Sequence, residues 1–130
     1  MHIAEIPYIK DSSFYYEKIR HLKWPVFLDS SYQKDMPQSK FARYDIIAAD
    51  PFIRITSDKS GTYVEDESGK KLQDNIPLKI IEEIMEKYPV QNQTLPFMGG
   101  AIGYLSYNLR DNTKNKPLIP KMIIGIYDWA

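Results

Sequence analysis

An α+β fold, built mostly from antiparallel β-strands with two main helices, is what this sequence predicts. Three observations lead there. Six or more short apolar stretches are separated by Gly, Pro, Asn, Asp and Ser; two longer stretches carry apolar residues at helical spacing; and the two kinds do not alternate as a βαβ protein requires.

Residues 11–22 place Tyr15, Ile19 and Leu22 on one helical face, with Asp11 or Ser12 as N-cap. Trp24-Pro25 stops that helix, because proline disfavours helical dihedrals in the residue before it. Val26-Phe27-Leu28 then reads as a short strand, and the polar stretch from Asp29 to Lys40 as a solvated loop. Tyr44 to Ala48 and Phe52 to Thr56 follow as strands divided by Asp50-Pro51. Thr62 to Glu65 and Lys70 to Leu72 flank Ser68-Gly69, a hairpin tip. Asp74-Asn75-Ile76-Pro77 offers a capping amide and a proline in the first turn. The helix that follows puts Leu78, Ile81, Met85 and Tyr88 on one face, opposite Lys79, Glu82, Glu83 and Glu86, and Pro89 ends it. Ala101 to Leu109 and Met122 to Trp129 are the last strands. Gly99, Gly100 and Gly103 keep the first of them thin, so that another backbone or a ligand can approach.

A chain of 130 residues suits one domain, spanning 1–130. With 43% hydrophobic and 26% charged residues it has the composition of a folded globular protein. Seventeen Lys plus Arg balance seventeen Asp plus Glu, which leaves no net field to attract nucleic acid or a membrane surface. The absence of cysteine excludes disulfides and Cys-ligated metals. Residues 1–7 carry no signal-peptide pattern and no stretch reaches membrane-spanning length, so a cytoplasmic location is expected. The apolar stretch running to Ala130 without a polar tail suggests part of a longer chain.

Motifs for catalysis are lacking. His2 and His21 are far apart and fit no metal-ligand spacing, and no G-x-S-x-G elbow occurs. Glu65-Asp66-Glu67 reads as the solvated end of a hairpin. Gly99-Gly100-Ala101-Ile102-Gly103 is followed by a strand and not by the helix that a phosphate loop needs, so close packing explains it better. The ten tyrosines lack the basic groove of a nucleic-acid stacking platform. No catalytic or metal-binding residue is therefore assigned. One constellation stands out: Ser30 at the end of one strand and Arg43-Tyr44-Asp45 at the start of the next. If the strands are neighbours, a hydroxyl, a guanidinium and a carboxylate beside Phe41 and Tyr44 suit a zwitterion with an apolar side chain. A plain surface salt bridge between Arg43 and Asp45 accounts for the same residues.

Three segments in order change the reading: Trp24-Pro25-Val26-Phe27-Leu28-Asp29-Ser30 with Arg43-Tyr44-Asp45-Ile46-Ile47-Ala48-Ala49-Asp50-Pro51; Leu95-Pro96-Phe97-Met98-Gly99-Gly100-Ala101-Ile102-Gly103-Tyr104-Leu105-Ser106-Tyr107; and Gly125-Ile126-Tyr127-Asp128-Trp129-Ala130. Together they resemble the N-terminal region of the anthranilate synthase and aminodeoxychorismate synthase component I family. Asp45, where the anthranilate branch usually has Ser, places the chain nearer the aminodeoxychorismate branch. The resemblance implies a parent enzyme that aminates chorismate in folate biosynthesis, using Mg²⁺ and a glutamine amidotransferase subunit. Its chorismate site lies in a C-terminal portion, and none of that portion's motifs occurs in these residues. What transfers is an amino-acid pocket, which holds L-tryptophan in some members. Ser30, Phe41, Ala42, Arg43, Tyr44 and Asp45 match it, although Ala42 stands where Ser is frequent. The alternatives are an anthranilate synthase component I N-terminal domain and a non-catalytic amino-acid-binding module.

Overall fold

The computed structural model describes residues 3–31, 43–89, 95–107 and 119–130. Within them the chain forms α1 (Ser13–Ile19), β1 (Val26–Leu28), β2 (Ile46–Ala48), β3 (Ile53–Asp58), β4 (Gly61–Asp66), β5 (Gly69–Gln73), α2 (Pro77–Lys87), β6 (Gly100–Leu105) and β7 (Met122–Tyr127). Every pairing is antiparallel: β1 with β2 in a small sheet, and a five-stranded sheet in the order β5-β4-β3-β7-β6. The α+β class read from the sequence is the one observed.

The core follows from strand alternation. Ile53, Ile55 and Ser57 on β3 stand opposite Ile126, Ile124 and Met122 on β7, and all six are buried. The five apolar ones meet Ile80 and Ile84 of α2, with Ile81 and Met85 packed alongside. Because side chains alternate along a strand, Arg54, Tyr63, Leu72, Ile123 and Gly125 belong to the opposite face. There Arg54 and Glu65, directly paired across β3 and β4, form a 2.8 Å ion pair.

The two turns joining β3 to β4 and β4 to β5 are chemically alike. Asp58-Lys59-Ser60-Gly61 and Asp66-Glu67-Ser68-Gly69 each have the Asp carboxylate accepting from the Ser backbone N–H (2.7 and 2.8 Å) and from its hydroxyl (2.6 Å in both). Each glycine has a positive φ. The Asp-x-Ser-Gly unit thus sets both reversals; Asp66 and Glu67 are the solvated hairpin end expected of Glu65-Asp66-Glu67, whereas Glu65 is half-buried within β4 and pairs with Arg54.

Several expectations need correction. α1 is shorter than residues 11–22, and Leu22 lies beyond it. The helix ends at Ile19, before Trp24-Pro25 can stop it, and Trp24 itself lies in the left-handed region at φ 46°, not in the extended conformation usual before proline. β2 starts at Ile46, two residues later than expected, because Asp45 turns its carboxylate to Ser30 and Ser12. Ile76, not an amide residue, is the N-cap of α2; Asn75 Oδ1 instead accepts from the Ile76 N–H at 2.8 Å. The buried stripe of α2 is Ile80 and Ile84, while Leu78 and Tyr88 are about half exposed. The helix is rotated toward its isoleucines because the core residues of β3 and β7 are on that side. β6 runs Gly100–Leu105, and the remainder of the stretch expected up to Leu109 falls partly outside the described residues.

Candidate functional site

The β1–β2 hairpin brings the separated motif residues together. Its register pairs Leu28 with Ile46 and Val26 with Ala48, so Ser30 and Asp45 emerge side by side from one end. Asp45 Oδ1 accepts from the Ser30 N–H and from the Ser30 hydroxyl, both at 2.8 Å. Its Oδ2 accepts from the hydroxyl of Ser12, at the N-terminus of α1. The Ser12 hydroxyl bond first, then the Ser30 backbone bond, hold the carboxyl below the ordinary aspartate value, so it is ionised at neutral pH. A carboxylate has about four acceptor directions. The three bonds leave room for one more donor, which suits a cation.

Around this carboxylate lies an open concavity of about 600 Å³, walled by the segment from Ile6 to Lys10, by Ser12 and Tyr15, and by Ser30, Arg43 and Tyr44. The Tyr15 hydroxyl donates to the Pro7 carbonyl and ties that N-terminal segment to α1. A second concavity of about 790 Å³ reaches Asp45 from the side of Phe27 and Asp29. Lys10 borders both.

Ser30, Arg43, Tyr44 and Asp45 therefore share one site, whereas Phe41 and Ala42 lie outside the described residues. The surface salt bridge between Arg43 and Asp45 does not form: the Arg43 guanidinium carbon sits 5.4 Å from the centroid of the Tyr44 ring, and Asp45 bonds serines. Ser12, Tyr15 and Lys10 were missed as wall residues. Ser12 read locally as a helix cap, yet its side chain caps nothing and reaches a residue 33 positions away, a pairing that no local pattern announces.

Gly99, Gly100 and Gly103, the other motif singled out, serve packing. A Cβ on Gly103 would stand 1.9 Å from the Ile123 carbonyl oxygen, and one on Gly99 would be 3.0 Å from that of Tyr127. Backbone, not a phosphate, takes the space.

The β1–β2 hairpin beside the antiparallel sheet thus presents an ionised carboxylate in an open concavity whose lining includes Tyr8, Tyr15 and Tyr44. No family model matches the chain. Among curated proteins, aminodeoxychorismate synthase component 1 of Escherichia coli (strain K12) is 31% identical over 129 residues, which cover 92% of this chain and 28% of that protein. The Salmonella typhimurium enzyme of the same name is 29% identical, over 98% of this chain and 30% of its own length. Anthranilate synthase component 1 of Acetivibrio thermocellus is 37% identical over 90 residues, 67% of this chain and 18% of that protein. The chain belongs to the family formed by component 1 of aminodeoxychorismate synthase and of anthranilate synthase, and corresponds to its N-terminal region. It spans less than a third of the length of the first two relatives.

Proposed function

We propose that the parent protein aminates chorismate to 4-amino-4-deoxychorismate in folate biosynthesis, with ammonia delivered by a glutamine amidotransferase subunit, and that this chain supplies scaffold and an amino-acid pocket. The observation that carries the reading is the reach of the similarity. The two aminodeoxychorismate synthase relatives align along 92% and 98% of the chain, against 67% for the Acetivibrio anthranilate synthase. The anthranilate reading keeps one observation in its favour, the higher identity of 37% over that shorter span.

Among the described residues, no three His, Asp or Glu side chains are grouped to hold a metal ion. In this reading the Mg²⁺ that the resemblance implies belongs to the C-terminal portion. No chemical step is assigned to this chain. That portion would cover the sheet face turned away from α2, where Tyr63, Ile102, Tyr104 and Ile123 are partly exposed and Leu72 is largely so.

In the pocket, the ammonium of L-tryptophan pairs with Asp45 in the acceptor direction left open, Ser30 meets its polar backbone groups, and Tyr15 and Tyr44 flank the indole. Arg43, stacked on Tyr44, stiffens the aromatic wall and leaves Asp45 free of a competing cation. No helix of the described residues is long and apolar enough to cross a membrane, and a cytoplasmic location fits the proposed pathway. The test supplies full-length parent with chorismate, ammonium and Mg²⁺ and identifies the product chromatographically. Aminodeoxychorismate is expected from the parent and no turnover from the 130-residue chain; anthranilate as product, or turnover by the chain alone, overturns the assignment.

A further inference from the structure

The Asp45 site occupies one end of the β1–β2 hairpin, and the junction with the five-stranded sheet occupies the other. Beyond the Val26–Ala48 pair, the chain enters through Lys23-Trp24 and leaves through Asp50. Trp24 (φ 46°) and Asp50 (φ 51°) are both left-handed without being glycine. Aspartate tolerates that region, whereas a bulky residue before proline does not adopt it unless its surroundings impose it. The surroundings here are specific. The Asp50 N–H donates to the Lys23 carbonyl at 2.7 Å, and Asp50 Oδ1 accepts from the Lys23 N–H at 2.9 Å. The Tyr127 hydroxyl, at the end of β7, donates to the Trp24 carbonyl at 2.8 Å. Phe52, two residues past Asp50, continues the β3–β7 ladder through its N–H to the Ile126 carbonyl at 3.0 Å. Ser31, at the other end of the hairpin, is left-handed as well (φ 55°). Three of the chain's constrained residues thus bracket a ladder only three pairs long, which alone would be marginal.

We propose that Lys23-Trp24, Asp50 and Tyr127 form a clasp through which the hairpin couples the Asp45 concavity to β7, so that loosening either end loosens the other. The clasp holds the hairpin at a fixed angle to the sheet, and the Asp45–Ser30–Ser12 bonds hold its far end to α1. Two restraints on one short ladder support each other, and coupling free energies are reciprocal. The proposal rests on the amino-acid-pocket reading only for what fills the concavity; its test needs no ligand.

Amide hydrogen exchange on the full chain, read by NMR, decides it. In Tyr127→Phe the amides of residues 26–28, 46–48 and Ser30 should exchange about fivefold faster, the factor expected for one hydrogen bond of about 1 kcal/mol, with β3, β4 and α2 unchanged. In Asp45→Asn, the Asp50 amide at the opposite end should quicken while those same core amides hold. Asp50→Gly, whose φ suits glycine and which removes only the acceptor of the Lys23 N–H, should reproduce the Tyr127→Phe pattern and stands in for it if that variant does not fold. Acceleration confined to residues 23–25 and 50, or spread evenly over the sheet, overturns the proposal. Loss of L-tryptophan binding in the wild type would bear on the pocket reading alone.

Discussion

The ring of Tyr127 occupies the space in which a side chain at residue 125 would stand: a Cβ on Gly125 would lie 2.7 Å from a Tyr127 ring carbon and 2.8 Å from its hydroxyl oxygen. The ring cannot rotate away freely, because Tyr127 is only 2% exposed and its hydroxyl is bound to the Trp24 carbonyl. Gly125→Ala should therefore displace the ring, break that bond and cost about 1–3 kcal/mol, as overpacking does. Denaturant unfolding of the variant checks this; a midpoint at the wild-type value would show that the ring has somewhere else to go.

A harsher outcome is expected at Gly103. The atoms that a Cβ there would meet belong to backbone, the Ile123 carbonyl oxygen at 1.9 Å and Ile124 Cα at 2.8 Å, and these cannot turn aside as a side chain can. Gly103→Ala should destabilise more than Gly125→Ala and detach β6 from β7, seen as lost amide protection along 100–105. Gly69→Ala is the contrast. Nothing lies within 4 Å of its Cβ, so only the strain of φ +112° is felt, about 1–3 kcal/mol.

On α2 the core stripe and the expected face overlap at Ile81 and Met85 and part at their outer residues. Ile84, 8% exposed, packs in the core, and Ile84→Ala should cost about 2–5 kcal/mol. Leu78 is 47% exposed, and Leu78→Ala should stay within about 0.5 kcal/mol. Equal losses in thermal unfolding would restore the face that the bare heptad-like spacing of Leu78, Ile81 and Met85 suggests.

Removing the site carboxylate tests the pocket. Asp45→Ala should weaken L-tryptophan binding to full-length parent by about 2–5 kcal/mol, since a desolvated ammonium loses its partner. The loss should be smaller in the 130-residue chain, whose concavity is open to water. Calorimetric titration of both forms measures it, and unchanged affinity in the parent would make the Asp45–Ser30–Ser12 cluster a structural tie only.

Stability should fall at both extremes of pH. Asp45, through Ser12 and then Ser30, and Asp58 and Asp66, through Ser60 and Ser68, are held below the ordinary aspartate value. Their contribution is complete above that value, about 4, and is lost as pH falls through the lower folded-state values. Tyr127 is raised by burial, so the unfolded chain ionises first and stability declines as pH rises past about 10. Thermal midpoints between pH 2.5 and 11 give both limbs. Asp45→Asn should flatten the acid limb and Tyr127→Phe the alkaline one; curves parallel to wild type would contradict the assignments.

By itself the sequence determined the fold class, the two helices and the strands of the described residues to within a few positions, and the segment pairing Ser30 with Arg43-Tyr44-Asp45. These are consequences of local periodicity and of punctuation by Trp24-Pro25, Asp50-Pro51 and Ser68-Gly69, and local physics is written in neighbouring residues. The first reversal of the sheet was equally local, yet Asp58-Lys59-Ser60-Gly61 was overlooked beside its twin at 66–69. Tertiary structure alone decided the rest. Which side of α2 is buried depends on where β3 and β7 present Ile55 and Ile124, since Ile80 and Ile84 widen one flank of the Leu78, Ile81 and Met85 stripe and the broad apolar arc fits two rotations. Whether Asp45 faces Arg43 or two serines depends on α1 packing against the hairpin, 33 residues away in the chain. The Trp24 carbonyl finds its donor in Tyr127 across 103 residues. Such contacts are fixed by how elements pack, and no window of sequence short enough to read locally contains both partners.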